Sequence, residues 1–380
     1  MALKGNSMVE QFGEVKDPRD DRGKRHELLD IIVIAICAVI CGADNWVGVE
    51  MFGNAKRDWF EQFLALPHGI PSHDTFGEVF ARIDPDQFQS SFLRWIQSIS
   101  ELTAGQVIAI DGKTLRGSHD RILGKGAIEM VSAWASANHV VLGQVKVEEG
   151  SNEITAIPEL LRVLEVQGCI VTIDAIGCQT DIAEAIIDKE GDYVLALKAN
   201  QGQLFEDVKS LFDIEFAERQ PFHWVEHDYH RMVDKGHGRV EIRQCWIVTD
   251  EEYLTYVRQH KEWAGLRSVI LVRGERRVGG QTSQKDRYYI SSLVSDAASC
   301  LQAVRSHWGI ENCVHWVLDL AFREDESRVR KDHGPQNLAV LRHMAMNLLK
   351  QDKTTRAGTH AKRLRAGWDQ DYLLKLLSGS

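Results

Sequence analysis

Gln106-Val-Ile-Ala-Ile-Asp111-Gly-Lys113 and, further along, Cys169-Ile-Val-Thr-Ile-Asp174-Ala-Ile-Gly177 decide the fold. Each is a short apolar run rich in β-branched residues and closed by an aspartate, which reads as a buried strand ending on an acid. Between them, residues 131–135 and 140–147 read as two further strands around the turn Asn138-His139. Residues 157–166 are expected to be helical, with Pro158 in the first turn, where its missing N–H costs nothing. A helix over 180–189, a strand over 193–198 and a helix over 203–218 complete the pattern.

The resulting order, β-β-β-α-β-α-β-α, is an α/β class and that of a ribonuclease-H-like core. In it the first and fourth strands are parallel neighbours joined by a right-handed crossover. Asp111 and Asp174 then end adjacent strands, about 4.8 Å apart. Two carboxylates so close repel, and a hard divalent cation with oxygen ligands relieves the repulsion. An aspartate ending a strand more often only caps the next loop. Two of them on the strands that this order makes neighbours favour a site.

Upstream, residues 1–104 read as an all-helical N-terminal domain expected to bind DNA. The run 31–43 is too short to span a bilayer, which needs about 20 apolar residues, and is expected to be a buried helix; no membrane partner is expected. The helix then continues through 43–63, and Ser72 is a plausible N-cap for a helix carrying Phe76, Val79 and Phe80. Another helix covers 86–101. Helical hairpins of this kind usually only pack, so base reading here is the less favoured alternative. Residues 105–350 form the expected catalytic core, with a β-rich insertion over about 221–293 built on strands at 239–248, 268–272 and 287–293. A long helix from Ser295 as N-cap to about residue 320 follows, and 351–380 form a basic tail.

The chain of 380 residues has a net charge of −10, yet its last 60 residues carry 12 Lys/Arg against 7 Asp/Glu. Lys362, Arg363 and Arg365 lie at the peak of that basic segment and are candidates for DNA phosphates, with a solvated helical tail as the plain alternative. Seven cysteines, none in a CxxC pair, suggest neither a zinc knuckle nor a disulfide framework and fit a reducing cytoplasm. No signal peptide is evident at the N-terminus.

The third ligand is sought on the late helix. There His307, Glu311, His315 and Asp319 recur at four-residue steps and form one polar stripe. A zinc site of His307, Glu311 and His315 is the alternative, without the HExxH spacing that would support it.

Taken together, the motifs resemble the H-repeat-associated insertion-sequence transposases of bacteria, DDE transposases with a β-rich insertion in the catalytic core. The resemblance runs nearly end to end. It is carried by Asp17-Pro-Arg with Arg22-Gly-Lys-Arg-His26, by Gly69-Ile-Pro-Ser-His-Asp-Thr-Phe76 and by Ala109-Ile-Asp-Gly-Lys-Thr-Leu-Arg-Gly117. Thr172-Ile-Asp-Ala-Ile-Gly177, Leu195-Ala-Leu-Lys-Ala-Asn-Gln201, His307-Trp-Gly-Ile-Glu-Asn312 and His315-Trp-Val-Leu-Asp319 complete it. The resemblance implies catalytic acids at Asp111, Asp174 and Glu311 holding Mg2+, with Mn2+ as a substitute. It further implies double-stranded DNA as partner (terminal inverted repeats and target), a homo-oligomeric synaptic complex, and a bacterial cytoplasmic, nucleoid-associated location. In the wider class the last motif reads Tyr-x2-Arg-x3-Glu-x6-Lys. Here those positions are Val304, His307, Glu311 and Leu318, so the lysine is absent. Lys113, Arg116 and Lys198 are the candidates to hold the DNA end instead, with His307 and His315 as further phosphate contacts. A stand-alone metal-dependent nuclease and a catalytically decayed DNA-binding relic are the competing readings.

Overall fold

The computed structural model describes residues 7–20, 25–99, 103–119, 125–218, 222–223, 225–236, 238–294 and 296–378, together with Lys24. It falls into two compact units. One comprises Met1–Glu101, Gly112–Val147 and Glu311–Ser380; the other comprises Leu102–Asp111 and Glu148–Ile310.

The first unit opens with six helices: α1 (Ser7–Phe12), α2 (Leu28–Ile40), α3 (Trp46–Ala55), α4 (Arg57–Phe60), α5 (His73–Arg82) and α6 (Pro85–Ile99). The apolar run is α2, buried along almost its whole length. The single helix expected over 43–63 is instead two, because Lys56 leaves helical geometry between α3 and α4. Ser72 caps α5 as expected, its Oγ accepting from the Thr75 N–H at 3.3 Å. The second half of β1 (Val107–Leu115) and the antiparallel hairpin of β2 (Ile128–Ala135) and β3 (Val140–Lys146) follow.

In the other unit come α7 (Glu153–Val163), β4 (Ile170–Ile173), α8 (Thr180–Ile187), β5 (Asp192–Leu197) and α9 (Gly202–Ala217). The element order through α9 is the one read from the sequence. Helix α7, however, starts four residues early, where Asn152 caps the Ile154 N–H at 3.0 Å, so Pro158 sits inside it. The β-rich region is larger than expected: β6 (His227–Gly236), β7 (Arg239–Val248), β8 (Ser268–Val278) and β9 (Gln281–Ser291), with α10 (Glu251–His260) between β7 and β8. Strand β6 escaped the sequence reading because its residues are mostly exposed and polar, without hydrophobic alternation. The unit ends with α11 (Ala297–Ile310). Ser295, the expected cap, lies outside the described residues; Asp296 accepts from the Ser299 N–H at 2.8 Å.

The sheet of this unit has the order β1-β4-β5-β9-β8-β7-β6. Strands β1, β4 and β5 are parallel, and the rest pair antiparallel. Side chains alternate between faces. The pairings Ala109↔Thr172, Thr172↔Val194 and Val194↔Ser291 therefore define one face, continued by Tyr289, Ile270 and Val272. Helix α11 packs on that face through Cys300, Leu301, Ala303 and Val304. The opposite face carries aromatic contacts from α9, among them Phe212 with Tyr288 and Phe216 with Trp246.

The first unit closes with α12 (Trp316–Ala321), α13 (Gly334–Gln351), α14 (Thr359–Trp368) and α15 (Gln370–Ser378). The segment expected as a tail is thus folded: α14 and α15 bury Ala366, Tyr372, Leu373, Leu376 and Leu377. Among the described residues, no helix is long and apolar enough to cross a membrane. Helix α13 is almost wholly buried, and its Asn347 Oδ1 accepts from the Val141 N–H while its Nδ2 donates to the Val141 carbonyl, both at 2.9 Å. Asn347→Ala strands both backbone groups of β3. It is expected to cost about 2–6 kcal/mol of unfolding free energy in urea titration, since each of the two unpaired buried groups costs ~1–3 kcal/mol. A loss under about 0.5 kcal/mol would show that the pair contributes nothing.

Candidate active site

Strands β1 and β4 pair in parallel from Val107↔Ile170 to Ile110↔Ile173. Asp111 and Asp174 are the next residues on each, level with one another on strands about 4.8 Å apart. By alternation both belong to the face covered by α11, two residues beyond Ala109 and Thr172. Both carboxylates are half-buried. Asp174 Oδ1 accepts from the Ile176 N–H at 3.0 Å, a turn that fixes the carboxylate at the strand end. Close packing supports that turn, because a side chain at Gly177 would collide with Ile173 and Ile157.

His307 comes down from α11 onto this face, with Nδ1 3.2 Å from Thr172 Oγ1. Burial lowers its pKa, and the nearby Asp174 carboxylate opposes that shift without overturning it. His307 is therefore a neutral imidazole near pH 7. Lys198, directly after β5, is exposed.

Glu311 belongs to the other unit and is exposed. It opens a π-helical segment, Glu311–His315, between α11 and α12. A π turn bonds i to i+5, so it inserts a residue into the helical phase. The expected four-residue stripe His307–Glu311–His315–Asp319 is therefore not one continuous face. Among the described residues, no three His, Cys, Asp or Glu side chains are grouped so as to hold a metal ion, neither the expected set Asp111, Asp174 and Glu311 nor the alternative zinc set His307, Glu311 and His315.

The expected DNA contacts divide. Lys113 is buried: its Nζ lies 2.7 Å from Asp319 Oδ1, 3.3 Å from Asp325 Oδ1 and 3.4 Å from Glu324 Oε2. Burial alone would lower its pKa, but Glu324, Asp319 and Asp325 outweigh it and raise the value. Glu324 is shared with the buried Arg342 at 3.5 Å. Lys113 thus anchors β1 to α12 and to the segment after it, and has no free ammonium for phosphate. Gly117 fits because its missing side chain leaves room for the Ser327 carbonyl. Arg116 is well exposed, with Asp325 Oδ2 at 3.5 Å.

Lys362 and Arg363 are also buried, which removes them from the DNA candidates. Lys362 Nζ donates to the Leu349 and Asp352 carbonyls at 2.9 and 2.6 Å. Arg363 donates to the Val39 and Ala321 carbonyls and pairs with Asp44 at 3.2 Å. Their charges compensate carbonyls at helix ends, a role that charge counting cannot separate from a solvated basic tail. Arg365 stays exposed, stacked on Tyr372 at 4.2 Å. His315 sits in the π segment, near enough to affect the buried His343. The acidic run Glu324-Asp325-Glu326 was the overlooked signal for the partners of Lys113.

With this geometry in hand, the match to known proteins is specific. The chain belongs to the transposase DDE domain family, whose model matches residues 103–348, preceded by a DDE_Tnp_1-associated region over residues 9–96. Within that class it groups with the H-repeat-associated transposases. It is 38% identical over 379 residues to "H repeat-associated putative transposase YhhI" of Escherichia coli K12, covering 98% of each chain. It is 39% identical over 377 residues to "Putative transposase YncI" of Escherichia coli O157:H7, covering 98% of this chain and 94% of that one. A solved piggyBac transposase synaptic complex with hairpin DNA is only loosely alike, with a TM-score of 0.44 at 11% identity, over 96% of this chain and 75% of that one.

Two outcomes follow from the buried charges. Lys113→Met leaves carboxylates buried without their cation and is expected to lower unfolding free energy by about 3–5 kcal/mol, read by urea titration. His343 is lowered from 6.5 to about 3, chiefly by burial and then by His315, Lys113 and Arg342. Between those values the unfolded imidazole takes a proton that the folded one refuses, so stability falls as pH drops from 6.5 toward 3 and is unaffected above. Melting temperatures measured across that range should fall less steeply for His343→Leu than for the wild type; equal slopes would remove His343 from the acid response.

Proposed function

We propose that the chain is an insertion-sequence transposase that binds the ends of its element, cleaves a phosphodiester bond there and joins the freed end to target DNA. The observation that carries this reading is the pair Asp111 and Asp174, each the first residue past the paired stretch of the parallel neighbours β1 and β4; β1 itself runs on to Leu115, so Asp111 does not end its strand as expected. The order β3-β2-β1-β4-β5, with helices α7, α8 and α9 following in sequence, supports a ribonuclease-H-like core. The family match supports polynucleotidyl transfer as the reaction class.

Two oxygen-donor carboxylates held side by side suit a hard divalent cation, Mg2+ or in its place Mn2+. Asp111 and Asp174 would hold it, with Glu311 as the third acid that the family resemblance implies, and when bound it supplies Lewis acidity and an activated water or hydroxyl nucleophile. The chain's own residues fix the setting. The turn at Ile176 holds Asp174, and Thr172 orients His307 against it. Lys113, tied to Asp319, Glu324 and Asp325, immobilises β1 two residues beyond Asp111. Exposed Lys198 is free to meet a phosphate. The helices of residues 7–99, with α5 carrying the Gly69–Phe76 motif, are the proposed DNA-end-binding region, and DNA synapsis calls for a homo-oligomer.

The test uses duplexes carrying the DNA that borders the gene. Asp111→Asn, Asp174→Asn and Glu311→Gln should each reduce Mg2+-dependent nicking by at least about a hundredfold, equivalent to roughly 2.7 kcal/mol of barrier. Chelation by EDTA should abolish it. Nicking that survives all three substitutions would overturn the assignment of the acids. Cleavage without joining would identify a nuclease, and binding without cleavage at any metal concentration a decayed relic.

A further inference from the structure

The face that carries Asp111 and Asp174 does not stop at those residues. Strand β5 ends at Leu197, paired with Tyr288 of β9, but β9 begins seven residues earlier, at Gln281. Strands β6 to β9 therefore run on past the carboxyl ends of β4 and β5, by about 23 Å beyond β5 at ~3.3 Å per residue. Residues 276–285, around the β8–β9 turn, are exposed on both faces.

Alternation assigns this extension's side chains to faces. Tyr289 and Val272 pack under α11, so Arg287, Lys285 and Arg276 share its side of the sheet. Two side-chain interactions agree with the assignment. The Arg287 guanidinium lies 5.1 Å from the Trp308 ring of α11, and Arg305 of α11 reaches Asp234 of β6 at 3.3 Å. Asp234 pairs with Glu241, and Glu241 with Arg276, on the same face.

The charges there do not cancel. Asp234 and Glu241 are taken by Arg239, Arg243 and Arg305. Arg276, Lys285 and Arg287 form no ion pair with a described residue. Exposed Lys198 adds a fourth cation on this face, by alternation from Val194 and Ala196. The fold thus supplies a line of unneutralised cations leading outward from the two aspartates. A lone surface cation carries no meaning, but two arginines and two lysines on one face, leading from the end of β5 out along the projecting strands, match a phosphate backbone, which bears one charge per about 3.4 Å of each DNA strand.

We propose that this face of the β6–β9 extension is a phosphate track that holds the duplex leading into the Asp111–Asp174 site and supplies the grip that the absent lysine of the last motif would provide. The proposal rests on the DNA-processing reading above and adds the surface that carries the substrate. Because such interactions are electrostatic, they act on any duplex sequence.

The experiment is fluorescence anisotropy of the full-length chain with a labelled mixed-sequence duplex of about 30 base pairs, in EDTA, titrated over a range of salt concentrations. The triple variant Arg276→Gln/Lys285→Gln/Arg287→Gln should bind at least about tenfold more weakly at physiological salt. Its slope of log K against log salt should be shallower by about 2–3, because each phosphate that a cation neutralises adds ~0.9 to that slope. Arg231→Gln/Lys235→Gln/Arg277→Gln, the same number of charges on the opposite face, should keep the wild-type slope. Circular dichroism should show both variants folded, since the altered side chains lie outside the core. If the wild type binds no duplex, the DNA reading itself fails. If it binds and the first triple keeps the wild-type slope, or both triples lose equally, the track is wrong and the DNA reading stands.

Discussion

The parallel pairing of β1 with β4 brings Asp111 and Asp174 to matching levels on strands about 4.8 Å apart. Like charges so close raise the cost of folding unless something outside the pair compensates. The pair follows directly on two apolar stretches, Val107–Ile110 and Ile170–Ile173, whose burial supplies the driving force for that pairing. The turn at Asp174 and the seating of His307 on Thr172 both serve to keep this pair in place.

A second constraint acts on the same strand two residues later. Lys113 is buried among Asp319, Glu324 and Asp325, and Glu324 is shared with Arg342. A buried cation ringed by carboxylates holds its geometry firmly, because removing any one partner leaves an uncompensated charge. The conspicuous motif from Ala109 to Gly117 therefore divides by function: its aspartate faces the candidate site, its lysine locks the scaffold, and its last glycine admits a neighbouring carbonyl. A motif match alone does not separate these roles.

Much of the fold was legible because hydrophobic period and capping are local. The first part of β1, through Asp111, strands 140–146 and 239–248, the Ser72 cap and the element order through α9 follow from residues close in sequence, whereas the continuation of β1 to Leu115 does not. The misses share one cause, the absence of a local signal. Strand β6 lies in the exposed part of the sheet and shows no alternation. The π segment at Glu311–His315 changes the helical phase without any residue that announces it. Lys362 and Arg363 looked like surface charge, yet they are consumed by carbonyls of residues far away along the chain.

The sequence by itself determined the family, through its long motifs, and singled out Asp111, Asp174 and Glu311 as the candidates for the chemistry. Only the tertiary structure decided which charges are available to a partner. Exposure and pairing depend on residues distant in sequence, so a lysine in a motif can be buried in carboxylates, as Lys113 is, while Arg276, Lys285 and Arg287, inconspicuous in sequence, emerge on the face that leads to the acids. Burial and strand register are collective properties of the packed chain, and they set the charge pattern that a DNA backbone would meet.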